Sequence, residues 1–195
     1  MREPLDTDDV EDLEFQARTP EQHRELAARM VAWAQEPHPD DGEDVSPAAL
    51  LARAGEQLDM AGDHDGALAL FRQAVSAEGT ALPDARCHLH RALLDAGDLE
   101  GARRLAEEVR HSRPSDPEVY QLIGEDYEAA GDLTEANRWM NLGLRRLVAQ
   151  AEEGDLDLSD FRAVLLLVAR RRVRRALGFP PDEFDEDPLL PPSQA

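Results

Sequence analysis

The sequence predicts an all-α protein built as a stack of helix-turn-helix units with an extra helix at each end. Three observations carry that expectation. First, residues suited to a pleated surface are scarce: one Ile (Ile123), ten Val, four Thr and 5% aromatics in 195 residues. Ala, Leu, Arg and Glu, all strong helix formers, take their place. Second, apolar residues recur at helical spacing behind recognisable helix starts. Third, a Gly-Asp step recurs as Gly62-Asp63, Gly97-Asp98 and Gly131-Asp132, at intervals of 35 and 34 residues, with a helical pattern before and after each.

Charge defines the ends. There are 42 acidic residues against 21 basic ones, for a net charge of −21, and every basic residue is Arg. Three stretches hold −16 of it: residues 1–15, 36–44 and the tail from Phe179. Such segments repel themselves and bury little, so residues 1–18 read as an acidic segment without fixed structure and residues 37–46 as an acidic linker. Residues 19–36 read as an amphipathic helix. Thr19 caps it, Pro20 suits its first turn, Gln22 completes a capping box, and Leu26, Met30 and Trp33 form one apolar face. Ser46-Pro47 and Asp116-Pro117 start later helices in the same way. Residues 47–178 form the repeat body. Its last helix, over 160–177, starts at Ser159-Asp160, packs its apolar front half (Phe161 to Val168) on the third repeat and stops at Gly178. Residues 179–195 are an acidic, Pro-rich tail, expected to be dispensable beyond Gly178.

Spelled out, the units read Leu51, Ala54-Gly55, Leu58, Gly62-Asp63, Ala67, Phe71, Ala74; then Arg86, Leu89-His90, Leu93, Gly97-Asp98, Ala102, Ala106, Pro114; then Tyr120, Ile123-Gly124, Tyr127, Gly131-Asp132, Ala136, Met140. Over roughly residues 48–150 this pattern resembles the tetratricopeptide repeat family. The resemblance implies a right-handed superhelix whose end helices cap the exposed faces of the stack. It also implies a non-catalytic scaffold or adaptor that binds a protein or peptide in a concave groove lined by the first helix of each pair. Mapped by spacing, that groove comprises Ala49, Ala52, Glu56 and Asp59; Asp84, Cys87, Arg91, Leu94 and Asp95; and Glu118, Gln121, Glu125 and Glu128. Chaperone-binding members clamp a terminal carboxylate with cationic and neutral groups, and Glu56 and Glu125 speak against that. An acidic groove suits a basic, Lys/Arg-rich segment, with Glu125 and Glu128 expected to face solvent.

A second candidate patch is Arg170, Arg171, Arg172, Arg174 and Arg175, five Arg in six residues. It could grip an anionic partner or nucleic acid, or serve self-association. The simpler reading is a helix C-terminus complemented by cations, with the acidic tail folding back on it. Nucleic acid is disfavoured as a partner by the net charge. Cys87-His88-Leu89-His90 is not read as a metal site, because His88 and His90 lie about 200° apart on a helix and zinc needs three or four ligands. His90 stands where the other units have Gly and is expected to loosen that helix pair. No phosphate loop, nucleophile elbow or zinc-protease motif is present, so neither catalysis nor a cofactor is expected. The longest apolar run, Ala163 to Ala169, is seven residues, too short to cross a bilayer. The acidic start is not a signal peptide. With one cysteine, the expected compartment is the reducing cytoplasm.

Overall fold

The computed structural model describes residues 3–153 and 161–185. Among these residues every regular element is an α-helix: α1 (Thr7–Gln16), α2 (Pro20–Gln35), α3 (Pro47–Met60), α4 (His64–Ser76), α5 (Ala85–Asp95), α6 (Leu99–Ser112), α7 (Pro117–Ala129), α8 (Leu133–Glu153) and α9 (Phe161–Ala176). The predicted helical repeat stack is present. Two compact units divide it, Met1–Leu105 and Ala106–Ala195, with the division inside α6.

Local chemistry sets the boundaries. Thr19 Oγ1 accepts from Gln22 N–H, and Gln22 Oε1 accepts from Thr19 N–H, closing the capping box of α2. Ser46, Asp63, Asp84 and Asp116 cap α3, α4, α5 and α7 with their side-chain oxygens. Gly62, Gly97 and Gly131 end the first helices with φ of 77°, 76° and 81°, a left-handed backbone that costs glycine least.

In the first unit, α2, α3, α4 and α5 pack in sequence order. Leu26, Met30, Leu50, Leu51 and Leu70 form one core cluster, and Leu68, Phe71, Leu89, Leu93 and Leu105 a second. Gly55 permits a close approach of α3 and α4: any side chain there would collide with the ring of Phe71. His90 is fully buried within α5.

The acidic segment at residues 1–18 departs from expectation. Residues 7–16 are helical, because Asp6 and Asp9 form a reciprocal capping box and Val10, 1% exposed, enters the core with Leu13 and Ala17 beside it. The stretch 37–46 has no helix but is tied down. Leu5 N–H donates to Asp41 Oδ1 at 2.9 Å, Gly42 N–H donates to Leu5 O at 2.9 Å, and Val45 is buried.

In the second unit, α7, α8 and α9 pack on one another. At Gly124 an added Cβ would meet the Met140 methyl at 2.7 Å; at Gly143 it would meet Leu166 at 2.7 Å and Tyr120 at 2.8 Å. The glycine in α8 thus seats α9, a role the repeat pattern does not signal. Leu166 and Leu167 of α9 are buried as expected, whereas Phe161 is 72% exposed. Ser159-Asp160, the expected start of this helix, lies outside the described residues. The tail departs from expectation too. Phe184 packs beside Leu144 and Leu167, so residues just past Gly178 belong to the fold.

Candidate partner-binding faces

The first helices carry acids one turn apart, at equivalent places behind the packing glycines: Glu56 and Asp59 on α3, Glu125 and Glu128 on α7. The two pairs meet different surroundings.

On α3, Glu56 lines a cavity of about 210 Å³ with Ala49, Ala52, Arg53, His88 and the 80–82 loop. Glu56 lies 3.6 Å from His88 Nδ1. Arg53 Nη1 donates to Glu14 Oε2 of α1 at 2.6 Å, and its Nη2 lies 3.7 Å from Glu11. Burial pushes the pKa of Glu56 up against the pull of Arg53, with Asp59 adding to the rise. Burial also raises Glu14, again opposed by Arg53 and helped by Glu56. Three carboxylates, Glu11, Glu14 and Glu56, thus share the charge of one guanidinium. Asp59 is exposed and bonds His64 Nδ1 at 2.5 Å, and that bond raises the His64 pKa.

The predicted residues of α5 fall into different roles. Asp84 caps α5 and grips Arg86 through both oxygens, at 3.0 Å to Nε and 2.6 Å to Nη2. Burial works to raise the Asp84 pKa, but the Arg86 bonds outweigh it and the net shift is downward. Its place directly before a helix was the signal for a cap. Cys87 is buried, Leu94 is half-buried, and Arg91 and Asp95 are exposed. His88 stacks on Phe71, ring centroids 5.4 Å apart.

On α7, Glu118 sits half-buried in the first turn and Gln121 Nε2 donates to Glu125 at 3.3 Å. Glu125 and Glu128 do not face open solvent. Arg172 of α9 donates to Glu128 at 2.9 Å (Nε) and 2.6 Å (Nη2), and to Glu125 at 3.2 Å. The Glu128 bond, reinforced by Glu125, drives the Arg172 pKa higher still.

The five arginines of α9 do not form one patch. Arg170 is 3% exposed. It donates to Asn141 at 2.9 Å, to Asp182 at 2.5 Å and to Asp185 at 3.2 Å. Arg174 donates to Asp185 Oδ2 at 2.8 Å and to Pro180 O at 2.7 Å. The Arg170 bond, with the charges of Arg170 and Arg174, overcomes burial and holds the Asp182 pKa down to about 2. Arg171 is half-buried and Arg175 exposed. Sequence reasoning missed Arg53 and Glu14 as organising residues, whereas it read the acidic tail as folding back on the α9 arginines and missed only that Arg170 is buried there. Arg53 and Glu14 lie 39 residues apart, beyond any local pattern.

Among the described residues, no group of three or more His, Cys, Asp or Glu is placed to hold a metal ion. Nor is any described helix long and apolar enough to cross a membrane. Residues 60–125 match the family model of the tetratricopeptide repeat. A search of curated proteins returned no match.

Proposed function

We propose that this chain is a non-catalytic protein–protein interaction module, acting as a cytoplasmic scaffold or adaptor, whose acidic first-helix faces take a basic segment of a protein partner. The tetratricopeptide match makes an interaction module the natural role for the helical stack. One observation carries the finer reading: on α7 a guanidinium already lies on Glu125 and Glu128, supplied by Arg172 of the same chain. A face that accepts one arginine in this way suits another from a partner. In the first unit, Glu56 offers a partly desolvated carboxylate inside a cavity.

The competing reading, an Arg-rich helix that grips nucleic acid, is weakened by the same geometry. Arg170, Arg172 and Arg174 are engaged by carboxylates of their own chain.

The test is fluorescence anisotropy of a labelled Lys/Arg-rich peptide with the full chain. Binding should fall with added salt and strengthen severalfold in Arg172→Ala, which clears the α7 face. Glu125→Gln with Glu128→Gln, introduced together in the Arg172→Ala background, should remove that gain. Preference for an acidic peptide, or indifference to all three substitutions, would refute the reading.

A further inference from the structure

The second unit holds a cleft of about 640 Å³ whose walls are cationic, unusual in a chain with twice as many acids as bases. Arg110 and His111 come from the end of α6, Arg113 from the turn after it, Tyr120 from α7, and Arg145 and Arg146 from α8. Among the described residues, no carboxylate lines the cleft. Glu107 bonds Arg110 at 2.5 Å and lies 3.9 Å from His111.

Elsewhere in this unit the arginines are neutralised: Arg162 by Asp116, Arg170 by Asp182, Arg172 by Glu128 and Arg174 by Asp185. Among the described residues, Arg113, Arg145 and Arg146 have no such partner. Arg146 Nε is buried and has no hydrogen-bond acceptor. A buried donor left unsatisfied destabilises a fold, more so when charged, so its retention in the wall of a cavity needs a reason. The Tyr120 hydroxyl, which donates to Pro114 O at 3.0 Å, fixes one wall. Burial raises the Tyr120 pKa against the opposing charges of Arg146 and Arg113.

We propose that this cleft is a binding site for a short peptide segment carrying closely spaced oxyanions, either Glu/Asp carboxylates or a phosphorylated side chain. Guanidinium forks from α8 and from the turn after α6 match such oxygens bidentately, and the ligand supplies the acceptor that Arg146 Nε lacks. A long polyanion is the poorer fit, because the net charge of −21 repels it over its whole length while a short segment meets only the cleft. The site differs in sign and in residues from the acidic faces proposed above. A partner with adjacent basic and acidic segments could therefore use both.

Anisotropy with the full chain separates the sources. Three labelled probes are compared: a short Glu/Asp-rich peptide, a phosphoserine peptide and a single-stranded oligothymidine. At least one peptide should bind, more weakly as salt rises. Arg113→Glu with Arg145→Glu, both at exposed positions, should weaken it by about tenfold or more, since two charge-assisted contacts are lost. The melting temperature should not move. Arg146→Gln should weaken it severalfold, and Arg172→Ala should leave it unchanged, which keeps this site distinct from the α7 face. The proposal fails if neither peptide binds, if the charge reversal has no effect, or if oligothymidine binds more tightly than both peptides. It fails as well if sedimentation shows the cleft filled by a second copy, as a concentration-dependent mass abolished by the same reversal.

Discussion

Glu56 with Asp59 on α3, and Glu125 with Glu128 on α7, hold the same places in two repeats yet end in opposite electrostatic states. On α3 burial dominates. Glu56 is partly desolvated beside Arg53 and His88, and its pKa rises. On α7 pairing dominates, with both carboxylates bonded to Arg172. Their packing glycines differ in parallel, Gly55 facing a rigid aromatic ring and Gly124 the mobile end of Met140. Repeat position therefore fixes where a side chain points, while the added helices, α1 in the first unit and α9 in the second, decide what it meets.

The chain has two tryptophans, Trp33 in the first unit and Trp139 in the second, so single Trp→Phe variants let each unit be followed separately. The largest effect should come from the buried clasp on α9. Arg170→Ala removes the buried guanidinium shared by Asp182 and Asp185 and leaves Asp185, whose side chain is 5% exposed, with Arg174 alone, at a cost of about 3 kcal/mol. The denaturation midpoint read by Trp139 should drop sharply. The counterpart in the first unit, Arg53→Ala, breaks a half-buried pair and should cost about 1–3 kcal/mol, read by Trp33. Equal losses would erase the contrast between the two anchors.

The glycines give a finer test. Gly55→Ala must displace Phe71 and should cost about 1–3 kcal/mol. At Gly124 the Met140 methyl can swing aside, and the better helix propensity of Ala offsets the crowding by about 1 kcal/mol, so Gly124→Ala should be close to neutral. Gly124→Leu should still destabilise by about 1–3 kcal/mol.

Acid should separate the units more gently. Glu56 and Glu14 have raised folded-state pKa values, so their charged forms cost stability at neutral pH. That cost is relieved as pH falls through the raised values toward the ordinary 4.5. Asp182 is held down to about 2 from an ordinary 3.8. Its contribution is present above 3.8 and lost as pH falls from there through about 2. The Trp33 midpoint should thus rise on approach to pH 4.5 while that of Trp139 holds steady. Below pH 3.8 the second unit should weaken, and the first should weaken too as Asp84, whose pKa is also lowered, takes up its proton. A Trp33 midpoint that falls steadily from neutrality would contradict the burial of Glu56. The smallest effect is expected from Arg172→Ala, an exposed pair worth about 0–1 kcal/mol of stability, even though it should be the substitution that binding of a basic segment notices most.

What the sequence made legible was whatever depends on near neighbours. Thr19, Ser46 and Asp116 announce caps, and the three Gly-Asp steps announce the turns between paired helices. Asp6, Asp9 and the Val10, Leu13 and Ala17 spacing announced α1 just as clearly, but counting charge along the segment hid the pattern. Pairings across long sequence separations were not legible. Arg172 reaches Glu128 over 44 residues and Arg53 reaches Glu14 over 39, whereas the return of the acidic tail was legible as charge but not the burial of Arg170 beneath Asp182. For that reason truncation after Gly178, harmless on a sequence reading, should strip a buried guanidinium of its partners.

On the function proposed here, Arg172 is also a tethered competitor. An occupant that never diffuses away sets a threshold any basic partner must overcome, because only molecules with that side chain swung clear are ready to bind. An exposed pair of about 0.2–1 kcal/mol closes the face in only a modest majority of molecules, so the apparent affinity should be discounted by roughly two- to sixfold, not abolished. Salt loosens the competitor and the partner together. The salt dependence of binding at α7 should therefore be shallower than the number of charges on the partner would suggest, and it should steepen once Arg172 is removed.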